Sequence, residues 1–261
     1  MGDTATPPAP DGVPVLGNGL AFSRAPFDSL ERWASLGPVV RLSLPTQETY
    51  LVTDPDLIEL LVERQYEFTI SRQQREIFSD VEENAVTGTT GDRWKRLRRA
   101  LKPAFIADRI AGYGSGTARH TASYVERWGD DPFDLHREMR LLTVRVLGDT
   151  LLGVDVAGDE SVLLDAADAM IARSDPRRFG RLLPDWVPTR TERRFTRCIE
   201  RFDEYVDAVL DAPSSDGRDV RSVLLAARDR GDLSTAEVRD NLVAVLLADH
   251  DSSAVTLTYA W

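Results

Sequence analysis

Residues 234–261, STAEVRDNLVAVLLADHDSSAVTLTYAW, decide the fold. Ser234 with Glu237 three positions on is a capping box, in which each side chain takes up the other residue's backbone N–H, so a helix begins here. Leu, Val and Ala then recur without a Gly or Pro, and the spacing predicts a helix over about 234–261. The sequence ends inside that helix with no C-cap and no polar tail, as expected of a truncated chain. One part of it is anomalous. Ala248-Asp249-His250-Asp251-Ser252-Ser253 sets polar residues into an apolar helix, although Asp and Ser compete for backbone hydrogen bonds. An acid beside a hydroxyl is the arrangement that relays protons into a closed pocket. A local strip of solvent-facing residues explains the same letters equally well. A lone helical histidine such as His250 is more often a satisfied partner or surface residue than a metal ligand.

Working outward, the chain from Asp92 onward is mostly helical. The segments WKRLRRALK, ARHTASYVERW, FDLHREMRLLTVRVLGDTLLG, ESVLLDAADAMIARS, RTERRFTRCIERFDEYVDAVLDA and DVRSVLLAARDR all carry apolar residues at three-and-four spacing. Breaks fall at Pro103, Gly129, 153–158, 176–188 and 213–217. Residues 66–91 have no clear period. Nearer the start, Val39 to Leu44 and Glu48 to Thr53 flank Pro45-Thr46-Gln47 and read as a β-hairpin over 39–53. Asp54-Pro55 caps a following helix, and another helix spans about Asp28 to Leu36. Residues 1–19, rich in Pro and Gly, are expected to lie extended over a surface. The fold class is therefore mainly α with a small N-terminal β-hairpin.

Composition excludes several functions. With 32 basic and 43 acidic residues the formal net charge is -11, which disfavours a nucleic-acid binder. Lys95 and Lys102 are the only lysines, a bias that fits a high-salt source as well as GC-rich coding. A single cysteine, Cys198, rules out an internal disulfide framework and fits a reducing cytoplasm; its helical setting makes it a structural thiol. His120, His136 and His250 are too widely spaced for a zinc pattern. No apolar run is long enough to span a membrane.

In Trp94 to Lys102, Trp94 and Arg98 share one helix face, one turn apart. An indole N–H and a guanidinium aimed at one spot suit a buried anion such as a carboxylate. From the residues alone, a solvated basic face competes with that reading.

At these two constellations the chain resembles the cytochrome P-450 family, the haem-thiolate monooxygenases, and the likeness covers nearly the whole sequence. GVPVLGN with TDPDLIELLVER is similar to the family's N-terminal hairpin region. GDRWKRLRRALKPAF is similar to its C helix, and ADHDSSAVTLTYAW to its oxygen-binding I helix. The resemblance implies a P-450-like fold that is incomplete, a single domain cut within the I helix, with haem b as cofactor. It implies insertion of one oxygen atom from dioxygen into an apolar substrate. Trp94 and Arg98 would bind a haem propionate, Ala248 would lie over the haem, and Asp251 and Ser252 would be the acid and hydroxyl that serve bound dioxygen. Ser252 stands where the family usually has threonine, and Asp249 where it usually has glycine. Pocket-lining candidates are Phe78, Val86, Ile171, Val245 and Asp249. The axial cysteine is expected beyond Trp261, not at Cys198, so the 261-residue chain alone is expected to be inactive and poorly folded. A ferredoxin, flavodoxin or reductase would donate electrons, docking on a basic face of Lys95, Arg99 and Lys102 interleaved with Arg96. The rival expectation is a non-enzymatic helical binding module derived from such an enzyme.

Overall fold

The computed structural model describes residues 6–44, 48–71, 75, 81–129, 131–174, 189–213, 217 and 219–261, without the side chains of 248–250. The chain divides into two compact units, the first holding Met1–Thr69 and the second Ile70–Ser174 and Pro188–Trp261.

In the first unit, the Pro-rich segment runs beside a two-stranded antiparallel sheet, β1 (Val39–Ser43) and β2 (Glu48–Val52), with Val40 opposite Leu51. Pro8 supplies only a carbonyl, which accepts from the Arg41 N–H at 2.9 Å. Asn18 locks the segment's end: its amide donates to the Asp11 carbonyl at 3.1 Å, and its Oδ1 accepts from the Ser43 N–H at 2.8 Å. The side-chain period of two then decides the packing. Val40 and Leu42 are buried against Trp33, while Arg41 turns outward to Glu48 at 3.2 Å. The helix expected at Asp28 to Leu36 is α2 (Pro26–Ala34), begun two residues earlier because Pro26 presets the first helical φ. A short α1 (Gly19–Arg24) precedes it, unannounced because Asn18-Gly19 reads as turn. Asp54 caps α3 (Pro55–Glu63) through the N–H groups of Asp56 and Leu57, at 3.0 and 3.1 Å.

The second unit is helical among its described residues. It comprises α4 (Gly91–Leu101), α5 (Ala107–Arg127), α6 (Leu135–Leu147), α7 (Glu160–Ser174), α8 (Arg190–Asp211), α9 (Val220–Asp229) and α10 (Thr235–Ala260). Phe195, Ile199, Phe202, Val206 and Val209 of α8 follow the three-and-four rule and are buried. They join Leu97 and Leu101 of α4, Val144 and Leu147 of α6, and Val238, Leu242 and Leu246 of α10 in the main core. The most extensive helix pairings are α10 with α6 and α7 with α8. After α6 the backbone widens into a π turn over Gly148–Leu152 and stops at Gly153, which is left-handed at φ +64°. Gly148 is obligatory there: a Cβ would meet the Val156 side chain at 2.5 Å.

Candidate active site

The helix expected over 234–261 forms as α10, and its capping box closes as the spacing requires. Glu237 N–H donates to Ser234 Oγ at 3.2 Å, and Ser234 N–H donates to Glu237 Oε2 at 3.0 Å. The same carboxylate binds two arginines of α4. Arg96 donates to both of its oxygens, once at 3.0 Å, and Arg93 Nε reaches it at 3.4 Å. These charge-assisted bonds hold the buried Glu237 carboxyl well below the usual range, down to about 2. Arg96, exposed along part of its side chain, spends its guanidinium on Glu237, while Lys95, Arg99 and Lys102 are exposed beside it, with Lys95 3.2 Å from Asp92.

Anchoring α4 in this way orients the face that carries Trp94 and Arg98. The spacing of four brings the two together: the Arg98 guanidinium carbon lies 5.0 Å from the Trp94 ring centroid, with Trp94 half-buried and Arg98 exposed. A planar five-donor cation over an indole, whose one polar group is also a donor, makes a donor set without an acceptor, chemically matched to a carboxylate. The haem propionate implied by the resemblance fits it.

Along α10, Asp251 and Ser252 diverge, as neighbours 100° apart on a helix must. Asp251 faces α6, where Arg140 Nε stands 3.5 Å away, a charge contact without hydrogen-bond geometry. Arg140, mostly buried, donates instead to Asp168 of α7 at 2.6 Å. Ser252 is on an exposed face, and its carbonyl accepts from Thr256 Oγ1 at 2.8 Å. Acid and hydroxyl thus share a helix turn but not a direction. The backbone of 248–250 is helical; the side-chain roles given to Ala248 and Asp249 lie outside the described residues, as does Phe78.

Of the remaining pocket candidates, Val86 and Val245 both pack against the main core, whereas Ile171 on α7 is 53% exposed and outside it. Cys198 on α8 is half-buried against the same core. Among the described residues no cluster of His, Cys, Asp or Glu is arranged to hold a metal ion. Sequence inspection missed Arg93, Arg140 and Asp168, and the pairing of Arg96 with Glu237, because the partners lie far apart along the chain.

The family model described as Cytochrome P450 matches residues 7–261. The chain is 27% identical over 97% of its length to cyclooctatin synthase of Streptomyces melanosporofaciens. It is 26% identical, again over 97%, to cyclooctat-9-en-7-ol 5-monooxygenase of the same organism. It spans 57% of the length of each. Among solved structures, a cyanobacterial retinoic acid-bound CYP120A1 superimposes with a TM-score of 0.77 at 20% identity, covering 98% of this chain and 59% of that one.

Proposed function

The chain belongs to the cytochrome P450 family, and on that premise we propose that it serves a haem-dependent monooxygenase that inserts one oxygen atom of dioxygen into an apolar organic substrate. The balance is R–H + O2 + 2 e− + 2 H+ giving R–OH + H2O: one oxygen enters the C–H bond and the other leaves as water. The observation that carries this reading is the Trp94–Arg98 pair, whose guanidinium and indole meet on one face of α4 and together offer donors suited to a carboxylate. Haem, when bound, supplies the oxygen chemistry. Trp94 and Arg98 would hold it through a propionate, and Ala248 would lie beside it. Asp251 would be the acid and Ser252 the hydroxyl that each serve proton delivery to the site, without a direct bond between them. Serine keeps that function with a freer rotamer than threonine.

Val86, Val245 and Phe78 are proposed as apolar walls of the substrate pocket, with Ile171 at its mouth and Asp249 as its polar member. The relative named for cyclooctat-9-en-7-ol supports an organic substrate. A thiolate for the iron would have to come from outside this chain, since Cys198 packs half-buried against the helical core. Electrons come from a ferredoxin, flavodoxin or reductase that docks on Lys95, Arg99 and Lys102. Reversing those three charges slows reduction of the haem-loaded protein and flattens its salt dependence; unchanged rates would remove the docking face from the account.

Turnover under isotopically labelled dioxygen tests the function. The product carries one labelled oxygen, and Asp251→Asn and Ser252→Ala each lower product formed per electron consumed by about tenfold or more. Unlabelled product, or no haem bound at all, would favour the helical binding module instead.

A further inference from the structure

Residues 81–90 form neither a long helix nor a strand, yet Val81, Glu82 and Ala85 are almost fully buried. A buried irregular segment must find partners for its backbone amides. Two of them are supplied by side chains of α10. Asn84 N–H donates to Asp240 Oδ2 at 2.8 Å, and Val86 N–H donates to Asn241 Oδ1 at 2.9 Å. The Asn84 side-chain amide adds a second 2.8 Å bond to the same Asp240 oxygen. Asp240 is 7% exposed and Asn241 1%, so both are buried polar residues, and Asp240 Oδ2 and Asn241 Oδ1 are spent on this segment. Asn241 Nδ2 donates to the Glu237 carbonyl one turn earlier at 2.7 Å, which turns its Oδ1 toward Val86. Arg93 donates to Asn84 Oδ1 at 2.6 Å, tying the same residue to α4. Val245 lies one turn beyond Asn241 on the same helix face, and both Val245 and Val86 pack against the main core.

We propose that Asp240 and Asn241 are positioning residues for the substrate pocket, holding segment 84–86 on α10 so that Val86 and Val245 form one apolar wall. The inference rests on the assignment of Val86 and Val245 to the pocket. It adds that the wall's shape is set by hydrogen bonds from α10 side chains to backbone amides, a device independent of what residue 86 is.

The test uses the haem-loaded protein with its axial ligand, read by absorbance during titration with imidazole and with 4-phenylimidazole, whose ring must fit against the wall. Asn241→Leu removes the acceptor at nearly constant volume. It weakens 4-phenylimidazole binding about tenfold, leaves imidazole within about twofold, and raises hydrogen exchange at the Val86 amide by a similar factor. Asn241→Gln, which keeps both the amide donor and the acceptor, recovers part of the parental behaviour. Should Asn241→Leu fail to load haem, Asp240→Ala, which frees Asn84 alone, is read in the same way. If these variants leave 4-phenylimidazole affinity unchanged while Val86→Ala shifts it, the positioning role is overturned and the pocket assignment stands. If Val86→Ala and Val245→Ala are silent as well, the pocket assignment fails and the inference falls with it.

Discussion

Glu82 is a buried acid, 5% exposed, held by a 3.1 Å hydrogen bond from Thr87. Burial dominates and, with the negative charge of Asp240, outweighs that bond, pushing the carboxyl up to about 7. A folded-state value above the unfolded one means that the native protein binds the proton more tightly. Its neutral form is therefore tolerated below about pH 4.5, and stability is lost as pH rises through about 7. Glu82→Gln is expected to raise unfolding free energy by roughly 3 kcal/mol at pH 8 and to change little at pH 4, as denaturant titrations at the two pH values would measure. Local spacing made some residues legible. Trp94 and Arg98 meet because residues four apart on a helix must. The direction of Asp251 was not legible, because it depends on which helix supplies Arg140, 111 positions earlier, and no local pattern encodes that.

At the scale of elements, helix ends explain more than helix interiors. Arg221 is 0% exposed and has no carboxylate partner among the described residues; its guanidinium instead donates to the carbonyls of Val209 and Ala212 at 2.7 and 2.8 Å, and to that of Pro213 at 2.8 Å. It thus satisfies the orphan carbonyls at the end of α8 from within α9. Arg221→Met keeps the volume but strands those carbonyls, and should lower unfolding free energy by about 3 kcal/mol in a thermal or denaturant melt. A charged residue within an amphipathic pattern reads as surface, so this cap was invisible in DVRSVLLAARDR. The capping box of α10 was visible because Ser234 and Glu237 are three apart, whereas the bond from Arg96 to Glu237 spans 141 positions. Glu237, depressed to about 2, contributes stability that is complete above its unfolded value and is lost as pH falls toward 2. Glu237→Gln is therefore expected to cost about 3 kcal/mol at pH 7, with the gap from the parent narrowing as pH drops below about 4. A pH-independent gap would assign the loss to packing alone.

Across the whole molecule, the helical order and the hairpin were readable because each rests on a period, 3.6 or 2, and on turn residues between. The hairpin at 39–53 and α10 form within one or two residues of their expected limits. Short α1 and the π turn after α6 were not readable, since six residues carry too little period and a π turn repeats the letters of the helix before it. No helix among the described residues is long and apolar enough to cross a membrane. The polar joint of Arg93, Arg96, Glu237, Asp240 and Asn241 links the Val86 segment, the Trp94 helix and α10 into one frame within the second unit, so the proposed haem contact and the proposed pocket wall share a support. The central claim is that this frame presents a carboxylate-binding pair to haem. The most direct measurement is haem occupancy, titrated by absorbance, of the parent and of the Trp94→Leu, Arg98→Leu double variant, with helical content monitored by circular dichroism. The account predicts an affinity loss of about tenfold or more with helicity unchanged; parental affinity in the double variant would contradict it.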